Sequence, residues 1–168
     1  MATMSQGSAV LTLPNDTDIL VTREFDAPAL AVWRVFTEAA YIRRWWGGKQ
    51  GPVTSVEIDL RPGGRYRYVQ DSDGFEVAFH GEFVDVVPTE RLVHTEVFEG
   101  TPEGDSPPTL NTYTFTERDG RTTLELRTHA PSKEVRDAIV DSGMEVGMQE
   151  GFDLAEELAL ELADERRV

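Results

Sequence analysis

The chain has 168 residues, 39% apolar and 28% charged, with 16 basic against 31 acidic side chains and a formal charge of -15. That fits one globular domain able to bury a core, and it excludes nucleic acid and anionic membrane surfaces as partners, since both need clustered positive charge. No cysteine occurs, which excludes disulfides and thiolate metal sites and suits a reducing cytoplasm. The first seventeen residues have neither the basic start nor the continuous apolar stretch of a signal peptide. No window is long and apolar enough to span a bilayer. Residues 1–17 read as a flexible tail before a single domain over 18–164.

In chain order, Asp18 to Asp26 alternates as a strand, with Ile19, Val21 and Phe25 among polar residues. Asp26-Ala27-Pro28 looks like a helix start, the acid as cap and the proline in the first turn. Val32, Trp33, Val35 and Phe36 give that helix its apolar side. A second short helix runs from Glu38 to Arg44 and is stopped by Trp45-Trp46-Gly47-Gly48. Alternating periodicity then predicts strands at Val53–Ile58, Arg65–Gln70, Glu76–Val87, Arg91–Phe98, Thr109–Glu117 and Arg121–His129. Asp71-Ser72-Asp73-Gly74 is a hairpin turn with glycine where a positive φ is needed, and Pro131-Ser132 opens a C-terminal helical region. Short connections argue for one antiparallel meander, six to seven strands in all, wrapped on the final helix. The expected class is α+β.

That helix, between Ser142 and Leu162, carries two rows at four-residue spacing. Gly143, Gly147, Gly151, Ala155 and Ala159 are small; Met144, Met148 and Phe152 are large and soft. A glycine in a helix interior costs about 1 kcal/mol against alanine, so three of them ask for a close neighbour. Four-residue spacing drifts by about 40° per step on a 3.6-residue helix, so the whole row cannot face one way. Gly143 is expected to break the helix, and Gly147 with Gly151 to be the close-approach positions.

Several short motifs resemble one family. Arg23-Glu24-Phe25-Asp26-Ala27-Pro28 with Val32-Trp33 and Phe36-Thr37, then Trp45-Trp46-Gly47, Arg61-Pro62-Gly63-Gly64, His80-Gly81-Glu82-Phe83, Pro88-Thr89-Glu90-Arg91-Leu92 and Ser142-Gly143-Met144-Glu145 run in family order across residues 19 to 163. Together they resemble the activator-of-Hsp90-ATPase-homologue type of domain, within the helix-grip superfamily of START domains and the birch-pollen allergen. The resemblance implies a cavity between the sheet and the last helix that takes small or lipophilic ligands, and it transfers no universal catalytic residue. Met148 stands where many relatives carry tryptophan after Gly147, which implies a roomier, softer pocket here. The Hsp90 link belongs to eukaryotic proteins with an additional N-terminal domain, for which this chain leaves no room, so a co-chaperone role is disfavoured.

His80, Glu82, His94 and Glu96 form two His-x-Glu pairs on adjacent predicted strands, a pattern that on one face could hold a metal or act as acid and base. Register decides, because a one-residue slip reverses a strand's faces. Pairing Val87 with Leu92 puts His94 beside Asp85 and sends His80 and Glu82 to the opposite face. In relatives the positions of His94 and Glu96 are often aromatic and face the cavity, so the resemblance implies that these two lie inside the pocket, with no metal site and no catalytic residue assigned. Tyr66, Tyr68, Tyr113 and Phe115 would form the sheet wall, Met144, Met148 and Phe152 the helix wall, and Trp45 and Trp46 the rim. His129 is expected to face solvent. The leading expectation is binding of a small, largely hydrophobic molecule without a cofactor; an enzyme of cyclase or hydrolase type is the alternative, and a docking module the third. Oligomeric state stays open, a homodimer being compatible with everything above.

Overall fold

The computed structural model describes residues 2–6 and 9–165. Thirteen elements follow in order. Strands β1 (Ala2–Gln6), β2 (Ala9–Leu13) and β3 (Asp18–Phe25) precede helices α1 (Ala29–Thr37) and α2 (Ala39–Trp45). The meander comprises β4 (Val53–Ile58), β5 (Arg65–Ser72), β6 (Phe75–Val87), β7 (Arg91–Phe98), β8 (Thr109–Arg118) and β9 (Arg121–His129). Helices α3 (Lys133–Asp141) and α4 (Met144–Glu165) close the chain. Among the described residues the sheet has nine strands in the order β1-β2-β3-β9-β8-β7-β6-β5-β4, with antiparallel neighbours throughout. The α+β class and the long C-terminal helix are as expected, and the sheet is wider.

The extra width comes from the N-terminal segment, and this corrects the expectation of a flexible tail. Met1, Gly7 and Ser8 lie outside the described residues, but β2 pairs with β3, Leu11 opposite Val21, and Ala9 and Leu11 have no exposed surface. The Gln149 carboxamide on α4 donates to the Ala9 carbonyl at 2.9 Å and accepts from the Ala9 N–H at 3.0 Å. It holds the strand as a neighbouring ladder would. The strand is only five residues long, and the partners that hold it, β3 and Gln149, lie further along the chain.

The core lies between the sheet and α4. Phe152, Ala155, Leu158, Ala159 and Leu162 form the buried face of α4, meeting Val32, Trp33, Val35 and Phe36 of α1 and Phe115 and Leu124 of the sheet. Gly143, with φ +82°, separates α3 from α4 as the spacing predicts. A Cβ on Gly151 would lie 3.1 Å from the Trp45 carbonyl, and one on Gly48 would lie 2.7 Å from the Glu150 Cβ. The glycines therefore let the Trp45–Gly48 turn press onto the helix backbone. Gly147 is less tightly faced, its nearest neighbour being the Gly47 carbonyl at 4.0 Å.

The start of α1 differs from expectation. Pro28 is the cap residue, and the cap lacks a side-chain hydrogen bond of its own. Glu117 of β8 accepts instead from the Ala29 N–H at 2.7 Å, while the Asp26 N–H donates to Glu156 of α4 at 2.9 Å. A carboxylate brought from another strand satisfies the free donor that a local acid was expected to satisfy. Among the described residues no helix is long and apolar enough to cross a membrane.

Candidate functional site

Register builds the inner wall. Tyr66 lies opposite Gly81, Tyr68 opposite Phe79, Phe79 opposite Phe98, and Leu92 opposite Tyr113. Opposed residues of an antiparallel pair share a face. Near the turn that joins β6 to β7, Val87 pairs with Arg91 and Val86 with Leu92, one residue away from the expected Val87–Leu92 pairing. Continued unbroken, this register would set Glu96 opposite Glu82 and gather both His-x-Glu pairs on one face. A bulge intervenes between Phe83 and Asp85, leaving Val84 unpaired and 56% exposed. Beyond it Phe83 faces His94 and His80 faces Val97. His94 and Glu96 therefore point inward, and His80 and Glu82 outward. The separation is the one expected, reached through a different register.

Past the bulge the ladder opens. The Thr95 carbonyl accepts from the Tyr66 hydroxyl at 2.8 Å and from His94 Nδ1 at 2.9 Å, while the Glu82 N–H donates to Thr95 Oγ1 at 3.0 Å. Gly81 makes the arrangement possible: a Cβ there would sit 1.9 Å from the Thr95 carbonyl oxygen and 2.7 Å from the Tyr66 ring. Because a carbonyl only accepts, His94 Nδ1 carries the proton and Nε2 remains an acceptor.

The side chains so placed form one line of rings. Tyr68 to Tyr66 is 4.8 Å between centroids, Tyr66 to His94 4.9 Å, His94 to Tyr113 5.5 Å and Tyr113 to Phe115 6.4 Å. Trp46 stands edge-on to Tyr68 at 5.6 Å and to Phe79 at 5.3 Å, and Phe79 meets Phe98 at 5.0 Å. Phe79 and Phe98 were missed by sequence reasoning. The signal existed for Phe98, which shares the alternation of His94 and Glu96.

The remaining candidates divide between core and wall. Trp45, Phe115 and Phe152 surround Phe36 at 4.8, 6.0 and 5.7 Å and are buried. The Trp45 indole N–H donates to the Val35 carbonyl at 2.8 Å, so this ring ties α2 to α1. Of the eleven candidates these three, like Tyr66 and His94, offer little surface to a bound molecule. Met144 and Met148 are half-buried beside the same core.

Polar atoms distinguish the wall from the core. Among the described residues nothing hydrogen-bonds the Glu96 carboxylate, the hydroxyls of Tyr68 and Tyr113, or His94 Nε2. None of these atoms is sealed: among the described residues Arg23 Nε is the one buried side-chain polar atom without a partner. Five unpartnered polar atoms on an aromatic wall therefore keep some surface accessible to water. Burial pushes the Glu96 carboxyl up to about 7 and His94 down to about 4, despite the Thr95 hydrogen bond, so His94 is neutral at physiological pH. Burial also raises the phenols of Tyr66, Tyr68 and Tyr113, with the Glu96 charge adding to it.

Two other clusters are paired throughout. On the outer face Arg67 reaches Glu99 through two hydrogen bonds of 3.0 Å, and His80 Nδ1 lies 2.7 Å from the same carboxylate. At the base of β3, Asp18 meets Arg127, Asn15 and His129; burial alone would raise its carboxyl, but these hydrogen bonds hold it at about 2. His129 faces solvent over 59% of its side chain, as expected, while its Nδ1 stays 2.6 Å from Asp18. Two surface hollows lie outside the inner wall. One of about 530 Å³ lies between Lys49–Pro52 and Asp71–Gly74, and one of about 300 Å³ beside Arg67, His80 and Glu99. Among the described residues no three His, Cys, Asp or Glu side chains gather as metal ligands.

With this geometry in place, residues 26–159 match the family described as activator of Hsp90 ATPase homolog 1-like protein. Solved structures share the fold. A Rhodobacter sphaeroides protein aligns with a TM-score of 0.80 at 25% identity, over 90% of this chain and 97% of its own. Protein Ms6760 from Mycobacterium smegmatis aligns with a TM-score of 0.80 at 26% identity, over 96% and 99%. A Nitrosomonas europaea protein reaches 0.78 at 23% identity, over 93% and 100%. No curated protein sequence matches the chain.

Proposed function

We propose that this chain, which belongs to the activator of Hsp90 ATPase homolog 1-like family, binds a small and mostly apolar molecule against the inner face of its sheet. The supporting observation is the wall itself: aromatic side chains in contact, interrupted by polar atoms that lack protein partners and stay open to water. Small-molecule sites combine apolar lining with a few convergent polar groups in this way. Tyr66, Tyr68, Tyr113 and Trp46 supply the apolar surface, joined by Phe79 and Phe98. Met144 and Met148 supply a side that can reshape around its occupant. Tyr66 is fixed by its own hydrogen bond to Thr95, so it gives shape, whereas His94 Nε2, Glu96, Tyr68 and Tyr113 are free to orient a ligand's polar group.

No covalent step is needed for this role. Native mass spectrometry of freshly purified protein should show a copurified molecule, or a screen of lipophilic compounds should raise the melting temperature. An empty protein with no shift across such a screen would remove the reading. The Met148→Trp variant should shift preference toward smaller ligands; an unchanged preference would take Met148 out of the site.

A further inference from the structure

We infer that the ligand carries a positive charge: a protonated amine on an apolar body, its ammonium group set against Glu96 among the rings of Tyr66, Tyr68 and Tyr113. This rests on the binding reading above and narrows it to one ligand class.

The charge inventory of the wall points this way. Glu96 is an acid directed inward with no hydrogen-bond or ion-pair partner among the described residues. The basic side chains nearby on the sheet are engaged elsewhere or, like Arg65, exposed to solvent. Arg67 binds Glu99 on the outer face, and Arg91 binds Asp85 at 2.6 Å. Arg23 faces inward but is held 2.6 Å from Asp153 and 3.5 Å from Glu156. The protein thus places a negative charge on its inner wall and provides no counterion, although an unpaired interior charge is costly.

Ring chemistry agrees. Aromatic faces attract cations through the negative centre of the ring, and a desolvated cation gains most from them. His94 adds no positive charge, because it is neutral and presents Nε2 as an acceptor. The free groups are thus one carboxylate, one imidazole acceptor and two phenol oxygens, a set that suits an N–H donor of positive charge. An anionic ligand would meet Glu96 with no cation to offset it. A divalent metal would find one inward carboxylate where it needs several oxygen or nitrogen ligands. The formal charge of -15 also draws cations toward the molecule.

A pH signature follows. The titratable groups facing Glu96 are His94 on its own strand, Tyr66 and Tyr68 on β5, and Tyr113 on β8. From β6 the wall presents Phe79, Gly81 and Phe83, and from α4 Met144, Met148 and Phe152 pack on the same core, none of them charged; the buried acid of α4, Glu145, lies 3.5 Å from Gln149, which binds Ala9 of β2. Glu96 is therefore the group on this wall that changes charge near neutrality, burial having raised it to about 7. A bound ammonium favours the ionised carboxylate, so amine binding strengthens as pH rises through that value and releases a proton near it.

The test compares octylamine with octan-1-ol, equal in length and different in charge, by calorimetry on the full chain at about 0.3 M salt, where the acidic surface is screened. At about pH 8 the amine should bind about tenfold more tightly than the alcohol, the scale of one desolvated cation–carboxylate contact. The preference should fall toward unity at about pH 5, where Glu96 is protonated, and E96Q should bind both probes alike at either pH. Alcohol binding without an amine preference would overturn the charge assignment and leave the binding reading standing, as would a preference that survives in E96Q or ignores pH. If neither probe binds, the binding reading and this inference fall together. The wild-type pH series carries the test alone should E96Q not fold.

Discussion

Glu96 and Glu99 stand three residues apart on one stretch of chain and behave as different acids. Glu99, at the end of β7, faces outward, where the two hydrogen bonds from Arg67 and the contact with His80 hold its carboxyl at about 2. Glu96 faces inward, has no partner among the described residues, and is pushed up to about 7 by burial. The residue type is the same and the backbone nearly so. What differs is the sheet face, and the face is set by register and by the bulge at Val84. Paired acids of the outer kind build structure, and the unpaired acid among rings is the feature on which the proposed ligand class rests.

The strongest way to break this contrast is to crowd the opened ladder that shapes the inner side. Gly81→Ala drives a methyl group into the Thr95 carbonyl, a backbone atom that cannot rotate away, and should cost about 3 kcal/mol or more, the upper end for overpacking. Scanning calorimetry reads it; a melting temperature within about 2 °C of wild type would mean that the Thr95 region tolerates a side chain.

Glu96→Gln comes next and acts in the opposite direction. The folded pKa of about 7 exceeds the ordinary 4.5. The unfolded chain therefore loses its proton first, and stability falls as pH rises between these values. The glutamine variant removes that fall and should be about 2 kcal/mol more stable than wild type at about pH 8, with the full shift discounted because water reaches the carboxylate. Denaturant melts should show the two proteins converging toward about pH 5; parallel curves would mean that Glu96 is compensated after all.

The outer acid sharpens the comparison with the reverse sign. Glu99 has a folded pKa of about 2 against 4.5, so its contribution is present above 4.5 and is lost as pH falls toward 2. Glu99→Gln should cost about 1 kcal/mol near neutrality, given the partial exposure of Arg67, and nothing once both states are protonated. A loss that persists in acid would point to packing in place of charge. Tyr68→Phe should change stability by less than about 0.5 kcal/mol, since its hydroxyl has no protein partner to lose. A larger loss, in the same melts, would reveal a hydrogen bond and remove Tyr68 from the groups free to orient a ligand.

Much of the architecture could be read from local pattern. The strand periodicities of the meander and the break at Gly143 follow from spacing alone, because each depends on neighbours along the chain, and the glycine spacing marks Gly151 as a close-approach position without revealing that Trp45 is what approaches. The features that escaped depend on distant partners. Ala9–Leu13 is a strand because of β3 and Gln149, and Ala29 is capped by Glu117. Among the candidate wall residues, Tyr66, Tyr68, His94 and Tyr113 were legible as one alternating face. Their separation from Trp45, Phe115 and Phe152 was not, since periodicity assigns a side chain to a face and leaves open whether that face is filled. Phe79 escaped for the reason the register did: its face is fixed only beyond the bulge.

The bulge at Val84 also gives β6 one residue more than β7 requires. Elsewhere in a sheet, losing a single residue turns every side chain beyond it to the wrong face. Here, a deletion between Phe83 and Asp85 would close the irregularity and leave Phe83 opposite His94 as before. The inner wall is therefore buffered against a change of chain length at that one point, where such a change would alter the twist of the strand and leave its chemistry in place.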